Sequence, residues 1–123
     1  RKNLQTIKSD MGDRTYPKGL YFLLKQFWKF KKPLFVTENG IGNARDEMRS
    51  RFIEEHLQAV LNAKREGVHV RGYFYWSLTD TYEWKSGFDI KFGLVEVNHQ
   101  TGERKIRGGF EKEKLQRLLD KLD

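Results

Sequence analysis

Apolar residues recur at helical spacing between Lys18 and Phe30. Leu20, Leu23, Leu24, Phe27 and Trp28 fall three and four positions apart, which predicts an amphipathic helix. Tyr16-Pro17 suits its start, because proline is tolerated in the first turn. Lys31-Lys32-Pro33 ends it. The run Leu34-Phe35-Val36-Thr37 is short, apolar and β-prone, and predicts a strand buried on both faces. Glu38-Asn39-Gly40 breaks it with a turn signal. A second helix is predicted from about Asp46 to Glu66, with Met48, Phe52, Leu57, Val60 and Leu61 on one stripe. Gly67 follows as its C-terminal cap. A second strand runs from Val68 to Leu78 and stops at Thr79-Asp80. Residues 82–109 form a long segment rich in glycine and aromatics. Within it, residues 92–97 are a short extended piece and His99 to Arg104 hold a turn with Thr101-Gly102 at its tip. Residues 1–15 lack a period and pass through Met11-Gly12-Asp13 as a loop. A last helix is predicted from Phe110 to Leu122, with Leu115, Leu118, Leu119 and Leu122 on one side.

Strands alternating with helices argue for parallel βα units joined by right-handed crossovers. Two strands do not finish a parallel sheet. Both have an open edge, and both are apolar enough to need cover on two faces. The chain therefore has the pattern of a piece of a larger α/β architecture.

Composition narrows the classes. The chain has 123 residues, one domain's worth at most. At 37% hydrophobic and 14% aromatic it can pack an interior. No run of about 18 apolar residues predicts a membrane span, and with no apolar leader near residue 1 no secretory signal is expected. The absence of cysteine excludes disulfides and thiolate chemistry. Together these lead us to expect a cytoplasmic protein. The net charge of +7 comes from residues 1–32, which hold nine Lys/Arg against two acids. Lys25, Lys29 and Lys32 stand near Phe27, Trp28 and Phe30, a pattern a nucleic-acid surface could use. A lysine-rich solvent face on an amphipathic helix explains the same pattern, so no nucleic-acid partner is expected.

Two groups of residues could carry chemistry. Glu38 directly follows a predicted buried strand, and in parallel α/β folds that strand end lines the site. A carboxylate there could be a nucleophile, a general base, or an exposed loop residue. Trp76, Glu83 and Trp84 form the second group, with Tyr75, Tyr82 and Phe88 nearby. Flat rings stack on sugar C–H faces and a carboxylate accepts from hydroxyls, although an aromatic core patch would have the same composition. His56, His69 and His99 lack metal-ligand spacing and are expected on surfaces or helices. Ser9, Ser77 and Ser86 lack a nucleophile elbow, and no glycine-rich phosphate loop follows a strand.

Taken together, these motifs resemble glycoside hydrolase family one, the β-glucosidase and β-glycosidase family. Phe35-Val36-Thr37-Glu38-Asn39-Gly40 is similar to its nucleophile signature. The run from Trp76 through Ser77-Leu78-Thr79-Asp80-Thr81-Tyr82-Glu83 to Trp84 is similar to its sugar-binding segment. Gly87-Phe88 and Lys91-Phe92-Gly93-Leu94 match the continuation, and Tyr16-Pro17-Lys18-Gly19-Leu20 resembles a motif upstream. The resemblance runs from about residue 9 to 120.

It implies an α/β fold, the last quarter of a (β/α)8 barrel with strands seven and eight, in which residues 1–123 are the C-terminal part of one barrel domain. It implies that Glu38 is the catalytic nucleophile of a retaining β-glycosidase. Trp76 would floor the sugar subsite, ahead of a non-proline cis bond to Ser77. Glu83 would bind the sugar's 4- and 6-hydroxyls and Trp84 its 3-hydroxyl, with Phe92 closing the pocket. The substrate class is a β-linked glucoside or galactoside, and no metal or organic cofactor is implied. The family's acid/base glutamate lies in an Asn-Glu-Pro motif that occurs nowhere in this chain. A longer chain would have to supply it, with the first six strands. Thr81 stands where the family usually has Asn, and Gly108-Gly109 where it has small Ser or Ala residues. A non-catalytic carbohydrate-binding or scaffold fragment of the same fold is the alternative.

Overall fold

The computed structural model describes residues 7–108, together with 113, 116, 117 and 120. The helix expected from Phe110 to Leu122 lies largely outside the described residues. Helix α1 spans Pro17–Phe27, with the proline in its first turn, and tightens into a 3-10 turn at Trp28–Phe30. Lys31 then turns left-handed at φ 53°, and its N–H closes on the Trp28 carbonyl at 2.9 Å. Strand β1 spans Leu34–Asn39.

Helix α2 spans Arg49–Arg65, three residues shorter at its start than the apolar stripe predicts. The reason is local. Asp46 has φ 61°, which no right-handed helix accommodates. The Asn43 side chain instead accepts from the Met48 N–H at 2.9 Å and starts the helix there. Gly67, at φ 85°, terminates it by donating to Lys64, as its position predicts.

Strand β2 is Val70–Tyr75, shorter than the expected Val68–Leu78. Val68 is buried in the core, but its N–H returns to Ala63 at 3.1 Å rather than joining the ladder. At the other end the Trp76–Ser77 bond is cis, and Thr79 pairs with Val95 instead of β1. The extended piece near residues 92–97 is β3, Val95–Val97. It pairs antiparallel with β4, Arg104–Ile106, a strand inside the long segment expected over residues 82–109. Asn98 builds the turn between them: its side chain accepts from the Gln100 and Thr101 N–H groups.

β1 and β2 pair in parallel, with Leu34 opposite Val70 and Asn39 opposite Tyr75. The helices α1 and α2 cover one face. Leu24, Val36, Val60, Ala63, Val68 and Val70 form the core there. A second cluster joins Ile7, Ile41, Phe52, Ile53 and Leu57 to the upper part of β2. The strands are not buried on both faces, as their apolar runs led us to expect. Phe35 is 56% exposed and Phe74 58% exposed. They share the face opposite the helices with Gly72, where a β-carbon would lie 2.7 Å from the Phe35 ring and 3.2 Å from the Phe74 ring. No described element of this chain covers that face. Continuous apolarity in the sequence records what a strand can bury, not what this chain supplies to cover it.

Candidate active site at the strand ends

Parallel pairing brings the C-terminal ends of β1 and β2 side by side. Glu38 lies at the end of β1 and Trp76 directly follows β2. The Trp76 N–H donates to the Asn39 carbonyl at 3.1 Å. The two chains approach so closely that a β-carbon on Gly40 would lie 1.6 Å from the Trp76 carbonyl oxygen. Only glycine fits there. Tyr73 donates to the Asn39 side chain at 2.7 Å, which holds the residue beside Glu38. Burial pushes the Tyr73 hydroxyl well above its ordinary value, so it stays a neutral donor. Glu38 itself is exposed at the strand end.

Phe92 reaches the same end of the sheet. Its carbonyl accepts from the Tyr75 hydroxyl at 3.1 Å, and its ring lies 3.6 Å from where a Gly42 side chain would start. A cleft of about 220 Å³ is lined by Asn39, Gly40 and Phe92 from the strand ends, and by Tyr16 and His56. The larger cleft, about 420 Å³, lies between α1 and α2 and includes none of the candidate residues. The smaller one borders the chemistry.

Glu83 and Trp84 stand on the segment between β2 and β3. Glu83 is half-buried and heads a tight turn, exchanging two 2.7 Å main-chain bonds with Gly87. The Thr81 hydroxyl lies 3.4 Å from its carboxylate and donates to it across the turn. Trp76 is 38% exposed and Trp84 95% exposed. Glu38, Trp76 and Phe92 thus gather at one end of the sheet, Glu83 stands on the neighbouring turn, and the Trp84 ring projects into solvent.

Sequence reasoning missed the residues that hold this arrangement. Arg49, fully buried, donates to the Asn43 and Lys91 carbonyls at 2.9 and 2.8 Å and to the Tyr75 hydroxyl at 3.2 Å, and it pairs with Asp46. It ties the loop after β1 to the return of the segment after β2. Asp80 and Arg107 form a buried bidentate pair at 2.8 and 3.0 Å. Burial alone would push the Asp80 carboxyl up. Hydrogen bonds from Arg107 and the Gly93 N–H outweigh it and hold the group below its ordinary value near 3.8. The one available cue was an acid inside an aromatic run.

His56 lies on α2, one of the two placements expected, and is buried there. Its Nδ1 meets the Phe52 carbonyl at 2.8 Å and its ring stacks on Phe52. His69 and His99 sit at the surface against Trp28 and Phe88. Among the described residues no cluster of three or more His, Asp or Glu could hold a metal. None of the described helices is long and apolar enough to cross a membrane.

Comparison with known proteins decides the family. The profile of Glycosyl hydrolase family 1 matches residues 1–112. The chain belongs to that family. It is 46% identical over 100 residues to a β-galactosidase of Sulfolobus acidocaldarius, covering 80% of this chain and 20% of that protein. Its fold superimposes on the β-glucosidase of Pyrococcus furiosus with a TM-score of 0.87 at 41% identity, over 97% of this chain and 25% of that one. Against the β-glycosidase of Pyrococcus horikoshii the TM-score is 0.81 at 46% identity, over 91% and 29%. These neighbours are (β/α)8-barrel enzymes, in keeping with an α/β piece of that fold. The family 1 chain spans about a fifth of the length of the curated relatives it matches.

Proposed function

We propose that this chain is the nucleophile-bearing part of a retaining β-glycosidase. In this reading residues 1–123 are the C-terminal part of one barrel domain, and β1 and β2 are its seventh and eighth strands. One observation carries the reading most: Glu38 and Trp76 occupy the C-terminal ends of adjacent parallel strands, locked together by the Trp76 N–H to Asn39 bond. That end of a (β/α)8 barrel is where catalytic residues sit.

Glu38 attacks the anomeric carbon of a β-linked glucoside or galactoside and forms a covalent glycosyl-enzyme. A second carboxyl group, roughly 5–5.5 Å away, protonates the leaving oxygen and then deprotonates water. Net retention follows from the two displacements. Trp76 stacks under the sugar, Glu83 accepts from its 4- and 6-hydroxyls, and Trp84 donates its indole N–H to the 3-hydroxyl. Phe92 closes the pocket side. The acid/base and the first six strands come from another segment or another chain. The uncovered Phe35–Gly72–Phe74 face and the two open strand edges support such completion.

The test is Glu38→Gln in the protein completed with the other six strands, in one chain or two. An amide keeps the size and removes the nucleophile. Turnover of an aryl β-glucoside should fall by roughly a thousandfold or more while sugar binding survives. Unchanged turnover refutes the nucleophile assignment. Sugar binding without any wild-type turnover points instead to a binding module.

A further inference from the structure

The segment carrying Glu83, Trp84 and Phe92 leaves the fold at Asp80 and re-enters it at Gly93, and both points meet one side chain. Arg107 donates from Nη1 and Nη2 to the two Asp80 carboxylate oxygens at 3.0 and 2.8 Å, and from Nη1 to the Gly93 carbonyl at 2.9 Å. The Gly93 N–H donates back to Asp80 Oδ1 at 2.9 Å. Asp80's own N–H donates to the Val95 carbonyl at 3.1 Å. A side chain at Gly93 would strike the Asp80 backbone nitrogen at 2.4 Å, so strand and segment touch main chain to main chain. Arg107 is itself fixed: its N–H donates to Leu94 at 3.0 Å, next to the Val95–Ile106 pairing.

The pair has side-chain exposures of only 2% and 6%. Apolar residues of similar volume would often serve stability as well or better than such a buried ion pair. What a bidentate guanidinium–carboxylate contact adds is a fixed plane and direction. We propose that Asp80 and Arg107 are positioning residues that close the base of residues 81–92, and so set how strictly Glu83 reads the outer hydroxyls of the sugar. The specificity half rests on the role assigned to Glu83 above.

The experiment uses Arg107→Ala and Arg107→Lys in the protein completed with the other six strands, in one chain or two. It has two readouts. The first is amide hydrogen exchange in residues 81–92 against α2. The second is the ratio of kcat/KM for a β-glucoside to that for the matching β-xyloside, which lacks the 6-hydroxymethyl group. In Arg107→Ala, exchange in 81–92 should rise about tenfold or more with α2 unchanged, and the ratio should fall about tenfold. Added guanidinium ion should restore both. Arg107→Lys keeps the charge without the fork, remains the readable variant if alanine prevents folding, and should shift both readouts the same way. Equal acceleration in α2 and 81–92, or an Arg107→Lys protein identical to wild type in both readouts, overturns the proposal. If the wild type hydrolyses no β-glycoside, the functional reading fails, and the exchange comparison alone decides the positioning role.

Discussion

Arg49 offers the most demanding test of how the site loops are held. Arg49→Ala removes a fully buried guanidinium that satisfies two main-chain carbonyls, Asn43 at 2.9 Å and Lys91 at 2.8 Å. It also removes a donor to the Tyr75 hydroxyl and the counter-charge of Asp46. A buried acceptor stripped of its partner costs about 1–3 kcal/mol. Two carbonyls therefore account for about 2–6 kcal/mol before water enters the space left behind. Breaking a buried ion pair from one side costs about 3–5 kcal/mol by itself. The contributions overlap, so the expected loss is about 3–5 kcal/mol, a large share of the roughly 5–15 kcal/mol that holds most domains together. Arg49→Met fills most of the volume and should recover only the packing part. The measurement is urea denaturation of the protein containing the chain, followed by tryptophan emission, with equal slopes checked between variants. A loss below about 1 kcal/mol for Arg49→Ala would show that water replaces the network at little cost, and the reasoning would be wrong.

The remaining predictions concern the strand ends and one histidine. Gly40→Ala places a β-carbon against the Trp76 carbonyl oxygen, which as main chain cannot swing aside. Turnover should drop at least about tenfold with a stability cost of about 1–3 kcal/mol. A Gly40→Ala protein with native Tm and kcat would contradict the close approach. Burial holds the His56 imidazole below its ordinary value of 6.5, against the opposing pull of the Phe52 carbonyl. The fold therefore keeps it neutral while the unfolded chain binds a proton. Its contribution is complete above about pH 6.5 and is lost as pH falls below that. His56→Gln should flatten Tm between about pH 5 and 7, and an already flat wild-type curve would refute the assignment.

Much of this was legible in the chain because the signals are local. The three- and four-residue spacing of Leu20, Leu23, Leu24 and Phe27 announced α1, and Gly67 announced the end of α2. Glu38 was visible because a β-prone run stops dead at Asn39-Gly40. The rest depends on contacts between distant positions. Arg107 lies well past residues 81–92 in sequence and meets Asp80 only in the fold. Arg49 looks like one more charge on an amphipathic helix until Lys91 and Tyr75 arrive beside it. Leu23 and Phe27 fit the stripe of α1 as well as Leu24 does, yet only Leu24 is buried, because periodicity ranks faces without knowing how wide their cover is.

The closed base at Asp80, Gly93 and Arg107 also has an evolutionary meaning. Residues 81–92 begin and end at one anchored point, so they form a cassette. Arg49 and Tyr75 also hold its last two residues through the Lys91 and Phe92 carbonyls, so it is residues 81–90 whose length and sequence would vary with β2, β3 and Glu38 in place. Lengthening such a loop is cheap, with each doubling costing only about 0.6 kcal/mol of closure entropy. On the function proposed above, exchanging one short insert would change which sugar is admitted, while the carboxylate assigned to bond cleavage keeps its place on β1.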